Sequence, residues 1–343
     1  MIPAAVAPPR GGLASLEPAE GPPAAGRRLL VARRSGPGLE HTTMERLGAY
    51  LEPGDVVVVN TSATLPAAVP ASGGLLLHLS TELDDGRWVV EVRRQCRAGS
   101  RRHHGGRVGR RLDLAGGGVA VLEEAYPQPA SVPSRLWVAT LEVPGGLRAY
   151  LAAAGRPIRY GCPERSWPLS AYQSVFSWHP GSAEMPSAAG GFTPALVTEL
   201  VARGVVVVPV TLHTGVSSQE RGERPYPERF AVPAATAEAV NAGRRRCATV
   251  VAVGTTVTRA LESAAGAGGV VAAARGWTDV VVTPERGVQV VDALLTGWHD
   301  PEASHLQLLE AVGGPDLVRA SYAAAHAAGY RGHEFGDFHL VLP

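Results

Sequence analysis

Residues 250–263 read VVAVGTTVTRALES, and the fold turns on how this stretch is read. Four residues suited to a buried strand, Val250–Val253, run into Gly254, Thr255 and Thr256, and then the apolar spacing becomes helical. A strand feeding a helix through a glycine turn aims backbone N–H groups at an anion. The next residues, Val257 and Thr258, are not the Lys-Ser or Lys-Thr of a P-loop, so that motif is excluded. A tight turn at Gly254 with Thr255 or Thr256 capping a helix is the plainer reading of the same residues.

Similar units lie on either side. GDVVVVN (residues 54–60) is a nearly all-valine run, typical of a strand buried on both faces of a parallel sheet. RRLLVARR (27–34) reads as another strand, with TTMERLGAYL (42–51) as a helix between the two. TPALVTELVARG (193–204) is a helix with Thr193 as N-cap, Pro194 in the first turn and Gly204 closing it. VVVVPVTLH (205–213) is a strand and AATAEAVNAGRRR (234–246) a helix; TDVVVTP (278–284) precedes a C-terminal third expected to be mostly helical. Between residues 71 and 144 the texture differs. LLLHLS, RWVVEVRR, RVGRRLDL, VAVLEEA and RLWVATLEV are short strands split by DDG, AGS, AGGG and QPASVP, with no helix among them. The expectation is a parallel-type α/β domain, residues 27–70 and 145–343, interrupted by a small β-barrel at 71–144 and preceded by an irregular lead-in at 1–26.

Composition narrows the chemistry. All 32 basic residues are arginine, which excludes a lysine Schiff base, lysine-anchored pyridoxal phosphate and the P-loop lysine. The formal net charge is +1, and the arginine usage goes with a Gly-, Ala-, Val- and Pro-rich chain, so it is discounted as a nucleic-acid signal. Cys96, Cys162 and Cys247 lie far apart without a Cys-x-x-Cys pair, which argues against a zinc ribbon, an iron–sulfur cluster or a disulfide framework and fits a reducing cytoplasm. No metal-ligand spacing emerges. No apolar run reaches the roughly 18 residues of a membrane span, and the N-terminus lacks the pattern of a signal peptide. A cytoplasmic protein is expected.

Polar residues gather at three strand exits: NTSATLPA after the valine strand, TLHTG at residues 211–215, and the GTT turn with Arg259 and Glu262 further along its helix. Exits from the carboxyl ends of strands are where open α/β sheets bind ligands. HPGSAEMPSAAGGFTP (179–194) offers several backbone donors to a small molecule. Plainer roles exist for each. Arg259 and Glu262, three apart, fit a surface pair; His213 fits a structural histidine; RRHHGGRVGRR (101–111) fits a solvated loop; and Arg244, Arg245 and Arg246 complement a helix C-terminus.

The order of these motifs is the specific signal. GDVVVVNTSATLPA, YQSVFSWHPGSAEMPSAAGGFT, TLHTG, AVGTTVTRALES, VDALLTGWH and YRGHEFGDFHLVLP together resemble the S-adenosylmethionine:tRNA ribosyltransferase-isomerases of queuosine synthesis, from about Arg27 to the C-terminus. The resemblance implies an α/β domain with an inserted β-barrel. It implies transfer of the ribosyl part of S-adenosylmethionine onto 7-aminomethyl-7-deazaguanine in tRNA, with isomerisation to the epoxycyclopentane of epoxyqueuosine and release of adenine and methionine. It implies tRNA as a partner and no metal or further cofactor.

For that chemistry His213 or Glu228 is the candidate base at the 5′ carbon, and Asp337 or a backbone donor would assist adenine departure. Phe192 and Trp298 are candidates to face the sulfonium charge. Gly181, Ser182, Thr193, Leu212, Gly215, Gly254, Thr255, Thr256, Arg259 and Glu262 complete the expected binding set, with the GTT turn facing the methionine carboxylate or a ribose hydroxyl.

The chain departs from the family pattern in places. Asn60, Thr61, Ser62 and Ala63 stand for Asn-Asp-Thr-Arg, Gly191 for the histidine before Phe192, and Arg224–Glu228 keep only the glutamate of His-x-Met-His-x-Glu. Gly297, Trp298 and His299 stand for Asn-Phe-His, and Phe338 and His339 for the closing Ala-Met. These losses leave two other readings open: a relative that passes the ribosyl part to a different, small-molecule acceptor, and a non-catalytic binding protein on the same scaffold.

Overall fold

The valines after Asp55 form an interior strand of the main sheet, and their alternation explains its two cores. The computed structural model describes residues 13–22, 26–35, 38–127, 135–216, 225–301 and 305–343. In chain order the strands are β1 (Arg28–Arg33), β2 (Leu39–Thr43), β3 (Val56–Asn60), β4 (Ser62–Thr64), β5 (Ala68–Ala71), β6 (Leu75–Glu82), β7 (Trp88–Cys96), β8 (Gly99–Arg102) and β9 (Arg111–Leu114). They continue with β10 (Gly118–Tyr126), β11 (Leu136–Glu142), β12 (His179–Ser182), β13 (Val206–Leu212), β14 (Glu228–Val232), β15 (Val250–Val253), β16 (Ala274–Thr278), β17 (Ala293–Gly297) and β18 (Phe338–Leu342). The α-helices are α1 (Leu147–Ala154), α2 (Pro194–Ala202), α3 (Ala234–Arg245), α4 (Thr255–Ala264), α5 (His305–Gly313) and α6 (Pro315–Ala327).

Nine strands make the main sheet in the order β16-β14-β13-β3-β15-β17-β18-β1-β2. Side chains of period two send Val56, Val58, Val250, Ala252, Val210 and Leu212 into one core, with residues of α3, α4, α5 and α6. Val57, Val59, Val251, Val253 and Leu295 enter the other, with Leu47, Leu196 and Leu200. Burial on both faces is why these strands are nearly unbroken aliphatic runs. β13, β3, β15 and β17 are parallel neighbours, whereas β17–β18, β1–β2, β13–β14 and β14–β16 are antiparallel. The expected parallel-type sheet is therefore corrected to a mixed sheet with a parallel centre. After β17 the chain passes through α5 and α6 and returns in the opposite direction, a connection that local periodicity does not specify.

The second sheet has the order β11-β10-β9-β5-β6-β7-β8, and β11 also pairs with β7, so the pairing closes on itself. Leu75, Leu77, Leu79, Val90, Val92, Leu112 and Leu122 fill its interior, and its first strand is Ala68–Ala71. QPASVP (residues 128–133) and Arg224 lie outside the described residues, as do residues 1–12 and 23–25 of the lead-in.

Several local expectations are corrected. TTMERLGAYL is a short strand end followed by a 3-10 helix at Met44–Tyr50. RVGRRLDL is a strand only over Arg111–Leu114. The C-terminal third holds β16, β17 and β18 as well as α5 and α6.

Cys96 and Cys162 are joined by a disulfide, with Cα atoms 5.4 Å apart. A separation of 66 residues hid this pair from spacing arguments. Packing creates it: Ala98 N–H donates to the Pro163 carbonyl at 3.2 Å, and Ser100 Oγ donates to the Arg159 carbonyl at 3.0 Å. Among the described residues no helix is long and apolar enough to cross a membrane.

Candidate active site

The carboxyl ends of β13, β3 and β15 lie side by side, and the buried Asn60 side chain stitches them together. Its Nδ2 donates to the Leu212 carbonyl at 2.9 Å and to Thr256 Oγ1 at 3.2 Å. Its Oδ1 accepts from the Leu212 N–H and the Ser62 N–H, both at 3.0 Å. One amide thus links all three exits that the sequence singled out. Thr61 and Thr211 hydroxyls add a further contact at 2.9 Å.

His213 follows β13 directly. Its Nδ1 lies 2.7 Å from Ser62 Oγ, which lies 2.6 Å from Ser182 Oγ. Ser182 Oγ in turn accepts the Thr214 N–H at 3.0 Å. Gly181 is required beneath the ring, because a Cβ there would fall 2.4 Å from His213 Nδ1. Gly215 is equally constrained, with Ser80 Oγ of β6 only 2.7 Å from where its Cβ would be. The second sheet therefore forms one wall of the site. Burial, reinforced by His179, Arg229 and Arg148, pushes the His213 pKa down to about 4. At neutral pH the ring is uncharged and can accept a proton.

Glu228 opens β14. Its Oε1 accepts the Gly215 N–H at 2.9 Å, and its Oε2 is bridged by Arg259 Nη1. Arg259 also donates through Nε to the Val280 carbonyl at 3.0 Å and through Nη2 to the Thr278 carbonyl at 3.1 Å. Glu262 is buried too and accepts the N–H groups of Gln289 and Val290, both at 2.9 Å, together with Arg286 at 3.1 Å. The surface-pair reading of Arg259 and Glu262 is corrected: each is buried with a different partner, because the helix face they share packs inward.

Gly254 has φ of +98°, which favours glycine, and its N–H donates to the Leu295 carbonyl at 2.7 Å. A Cβ there would fall 3.0 Å from Ala188 Cβ, so the segment Ser187–Gly191 covers the turn that starts α4. Thr255, the first residue of α4, is buried beside Thr256.

The remaining candidates are placed elsewhere. Thr193 caps α2, accepting the Leu196 N–H at 3.1 Å, and Phe192 packs in the core edge-on to Phe176. Trp298 is stacked on His339 at 4.7 Å between centroids and is flanked by Tyr322 and Tyr330. Asp337 is clasped by Arg28 at 2.7 Å and accepts the Arg28 and Arg331 N–H groups at 3.1 and 2.9 Å. These four thus serve caps, cores and clasps and do not join the His213 cluster.

Sequence reasoning missed Asn60, Ser62 and Ser80 as site residues. The signal for the first two was their position at the end of the most strongly apolar strand; Ser80 carried none, since only tertiary packing brings it to Gly215. Most of RRHHGGRVGRR is exposed, and Arg101 Nε lies 2.8 Å from Cys162 Sγ. Among the described residues no group of three metal-ligating side chains comes together.

Comparison with known proteins gives consistent results. The chain matches the model of a family described as queuosine biosynthesis protein over residues 13–341. It is 34% identical to the S-adenosylmethionine:tRNA ribosyltransferase-isomerase of Moorella thermoacetica over 333 residues, covering 92% of each chain. Against the protein of the same name from Thermus thermophilus the identity is 33%, again covering 92% of each. The crystal structure of S-adenosylmethionine tRNA ribosyltransferase from Thermotoga maritima superposes with a TM-score of 0.52 at 25% identity, covering 96% of this chain and 99% of that one.

Proposed function

The chain belongs to the queuosine biosynthesis family of S-adenosylmethionine:tRNA ribosyltransferase-isomerases, and from that premise we propose how its residues serve the reaction. It is an enzyme that transfers and isomerises the ribosyl part of S-adenosylmethionine onto 7-aminomethyl-7-deazaguanine in tRNA, giving epoxyqueuosine, adenine and methionine. The observation that carries the site assignment is the convergence of the β3, β13 and β15 exits on Asn60, His213 and Thr256.

In this reading His213 removes a proton from the 5′ carbon, whose acidity the neighbouring sulfonium raises. Ser62 and Ser182 fix the ring so that its other nitrogen meets the substrate. The Gly254–Thr256 turn receives the methionine carboxylate or a ribose hydroxyl; a carboxylate there gains about 0.3–1 kcal/mol from the helix dipole. Glu228 and Arg259 position the Gly215 backbone and Leu212 lines the same edge, while Glu262 braces α4 behind them. Asp337, Phe192, Thr193 and Trp298 support the scaffold around the site, and their roles are structural in this reading. The chemistry calls for S-adenosylmethionine as co-substrate and for no metal.

We read the second sheet as a small β-barrel inserted at residues 71–144, extended at its start by β5, into an α/β domain of residues 27–70 and 145–343, after a lead-in at 1–26; the closing β11–β7 pairing supports it. We assign the protein to the cytoplasm, the compartment that suits a tRNA-modifying activity.

Incubation with labelled S-adenosylmethionine and tRNA carrying 7-aminomethyl-7-deazaguanine, followed by mass spectrometry of all products, tests the function. Adenine and methionine should appear in step with modified RNA. Release without RNA, or no release, would overturn it.

A further inference from the structure

A cavity of about 570 Å³ lies away from the His213 cluster, between the β7–β8 turn and the segment 156–172. Arg97, Ala98, Arg156, Arg159, Trp167 and Tyr172 line it. Its two walls are fastened by the Cys96–Cys162 disulfide and by the Ala98–Pro163 backbone bond, so the space is preformed.

Two of its polar groups keep an unused donor among the described residues, and the buried carboxyl of Glu334 interacts electrostatically with Arg159 and Tyr172. Arg156 is anchored through its backbone to Ala68, with both bonds at 2.9 Å, while its buried Nη2 meets no partner among the described residues. The buried Tyr172 hydroxyl, on a residue only 2% exposed, likewise meets no partner among the described residues. Burial pushes that phenol up to about 12, so it remains a donor at neutral pH. Arg159 is held by the carbonyls of Arg165 and Glu20 and meets no carboxylate within ion-pair distance among the described residues. Glu164, the acidic lining residue, is taken up by Arg97 at 3.1 Å. A buried donor left unmade costs about 1–3 kcal/mol, so such a set points to an absent acceptor. Two guanidiniums and a phenol fit a phosphate oxygen.

The cavity is also tied to the site. Thr64 Oγ1 donates to the Tyr172 carbonyl at 2.7 Å, and the Gln173 amide bonds the Thr64 backbone at 3.0 and 2.9 Å. Thr64 stands two residues along β4 from Ser62, about 7 Å of strand. Arg101, exposed and in contact with Cys162, extends the positive surface at the rim.

We propose that this cavity holds a phosphodiester of the RNA substrate, gripped by Arg156, Arg159 and the Tyr172 hydroxyl, and so sets the register of the RNA relative to His213. The inference rests on the tRNA reading above and adds a binding site to it.

The test titrates the full chain with an anticodon stem-loop RNA at several chloride concentrations, comparing wild type, Arg156→Gln, Arg159→Gln and Tyr172→Phe. Binding of S-adenosylmethionine and thermal melting are recorded on the same preparations. Each arginine variant should bind RNA about five- to tenfold more weakly at low salt, with the salt slope reduced by about one. Tyr172→Phe should weaken RNA binding without changing the slope and should melt no lower than wild type, since it removes an unmade buried donor, while S-adenosylmethionine affinity stays as in wild type. Unchanged RNA affinity and slope in both arginine variants would overturn the proposal. So would stabilisation of wild type by inorganic phosphate, lost in Arg156→Gln, with equal RNA affinity in the two; the site would then serve a free anion. The outcome is separable from the function itself. Arg156-dependent RNA binding without S-adenosylmethionine consumption leaves this site standing and the function not, and RNA-dependent consumption with unaltered salt slopes does the reverse.

Discussion

His213 Nδ1 sits 2.7 Å from Ser62 Oγ, although 151 residues separate them in sequence. The serine opens β4, two residues past the end of β3, and the histidine follows the end of β13, so the parallel pairing of two valine strands brings them together. Ser182 completes the relay at 2.6 Å and leaves one face of the imidazole engaged. Because burial holds the His213 pKa at about 4, the ring stays in its neutral, proton-accepting form throughout the neutral range, at a cost in basicity. The pH profile of kcat/KM should therefore lack a limb near 6.5, the ordinary histidine value, and fall about tenfold per unit only below about 4. His213→Gln should lower kcat by a factor of about 10² to 10⁴ while S-adenosylmethionine binding persists. A variant with undiminished kcat would remove His213 from the base role.

Arg259 and Glu228 form a pair whose side chains are 8% and 13% exposed. Arg259→Ala strands the Glu228 carboxylate and the carbonyls of Thr278 and Val280, so stability should drop by about 3–5 kcal/mol. Urea denaturation monitored by circular dichroism measures it. A loss below about 1 kcal/mol would show that water reaches the carboxylate. Because this variant disturbs the scaffold, loss of ligand binding in it would not by itself place Arg259 against S-adenosylmethionine. Thr256→Val, which removes a hydroxyl bonded to Asn60 at 3.2 Å, is the cleaner probe of the α4 turn.

The strand exits were legible because a strand buried on both faces announces itself as an aliphatic run, and the polar residues that end it are then conspicuous. Val56–Asn60 and Val250–Gly254 show this. His213, Gly215, Gly254 and Thr256 were found that way and do converge. Trp298 and Phe192 were chosen for their aromatic character, which equally suits a core, and that is where they lie. Asp337 was chosen for its charge, but its partner Arg28 is 309 residues away. The same reason hid the Cys96–Cys162 pair and the antiparallel return of β18: contacts made across the fold leave no local period.

The disulfide gives a direct count. Unreduced protein should expose one thiol, Cys247, to an aromatic disulfide reagent under denaturing conditions, and three after reduction. Closing a 66-residue loop restricts the unfolded chain by about 4 kcal/mol in the chain-entropy treatment. Cys96→Ser should therefore lower stability by about 2–4 kcal/mol under oxidising conditions and have no effect in reductant. Three reactive thiols without reduction would mean that Cys96 and Cys162 are adjacent but unjoined.

Acid should unfold this protein early, and the cause is the interior histidines. His339 lies stacked on Trp298 with both ring nitrogens buried and without a hydrogen-bond partner among the described residues, and burial brings its pKa down to about 3. His305 and His213 fall to about 4, and His78 and His299 are pushed well below the usual value of 6.5. Above 6.5 both folded and unfolded states are neutral at these positions, and pH has no leverage. Below it the unfolded chain takes up protons that the folded chain refuses, so each histidine withdraws up to about 1.4 kcal/mol of stability per pH unit until its folded pKa is reached. Glu334 works in the other direction, because burial raises it to about 7 and it favours the folded state as pH falls from there to its ordinary 4.5. One carboxyl does not offset five imidazoles. Melting temperature should therefore fall steadily from pH 6.5 to pH 4. His339→Phe, which keeps an aromatic ring against Trp298, should flatten that dependence by up to about 1.4 kcal/mol per pH unit while leaving the site residues untouched. Equal stability at pH 7.5 and pH 5, or a slope that His339→Phe does not change, would show that the interior histidines find water or partners on protonation.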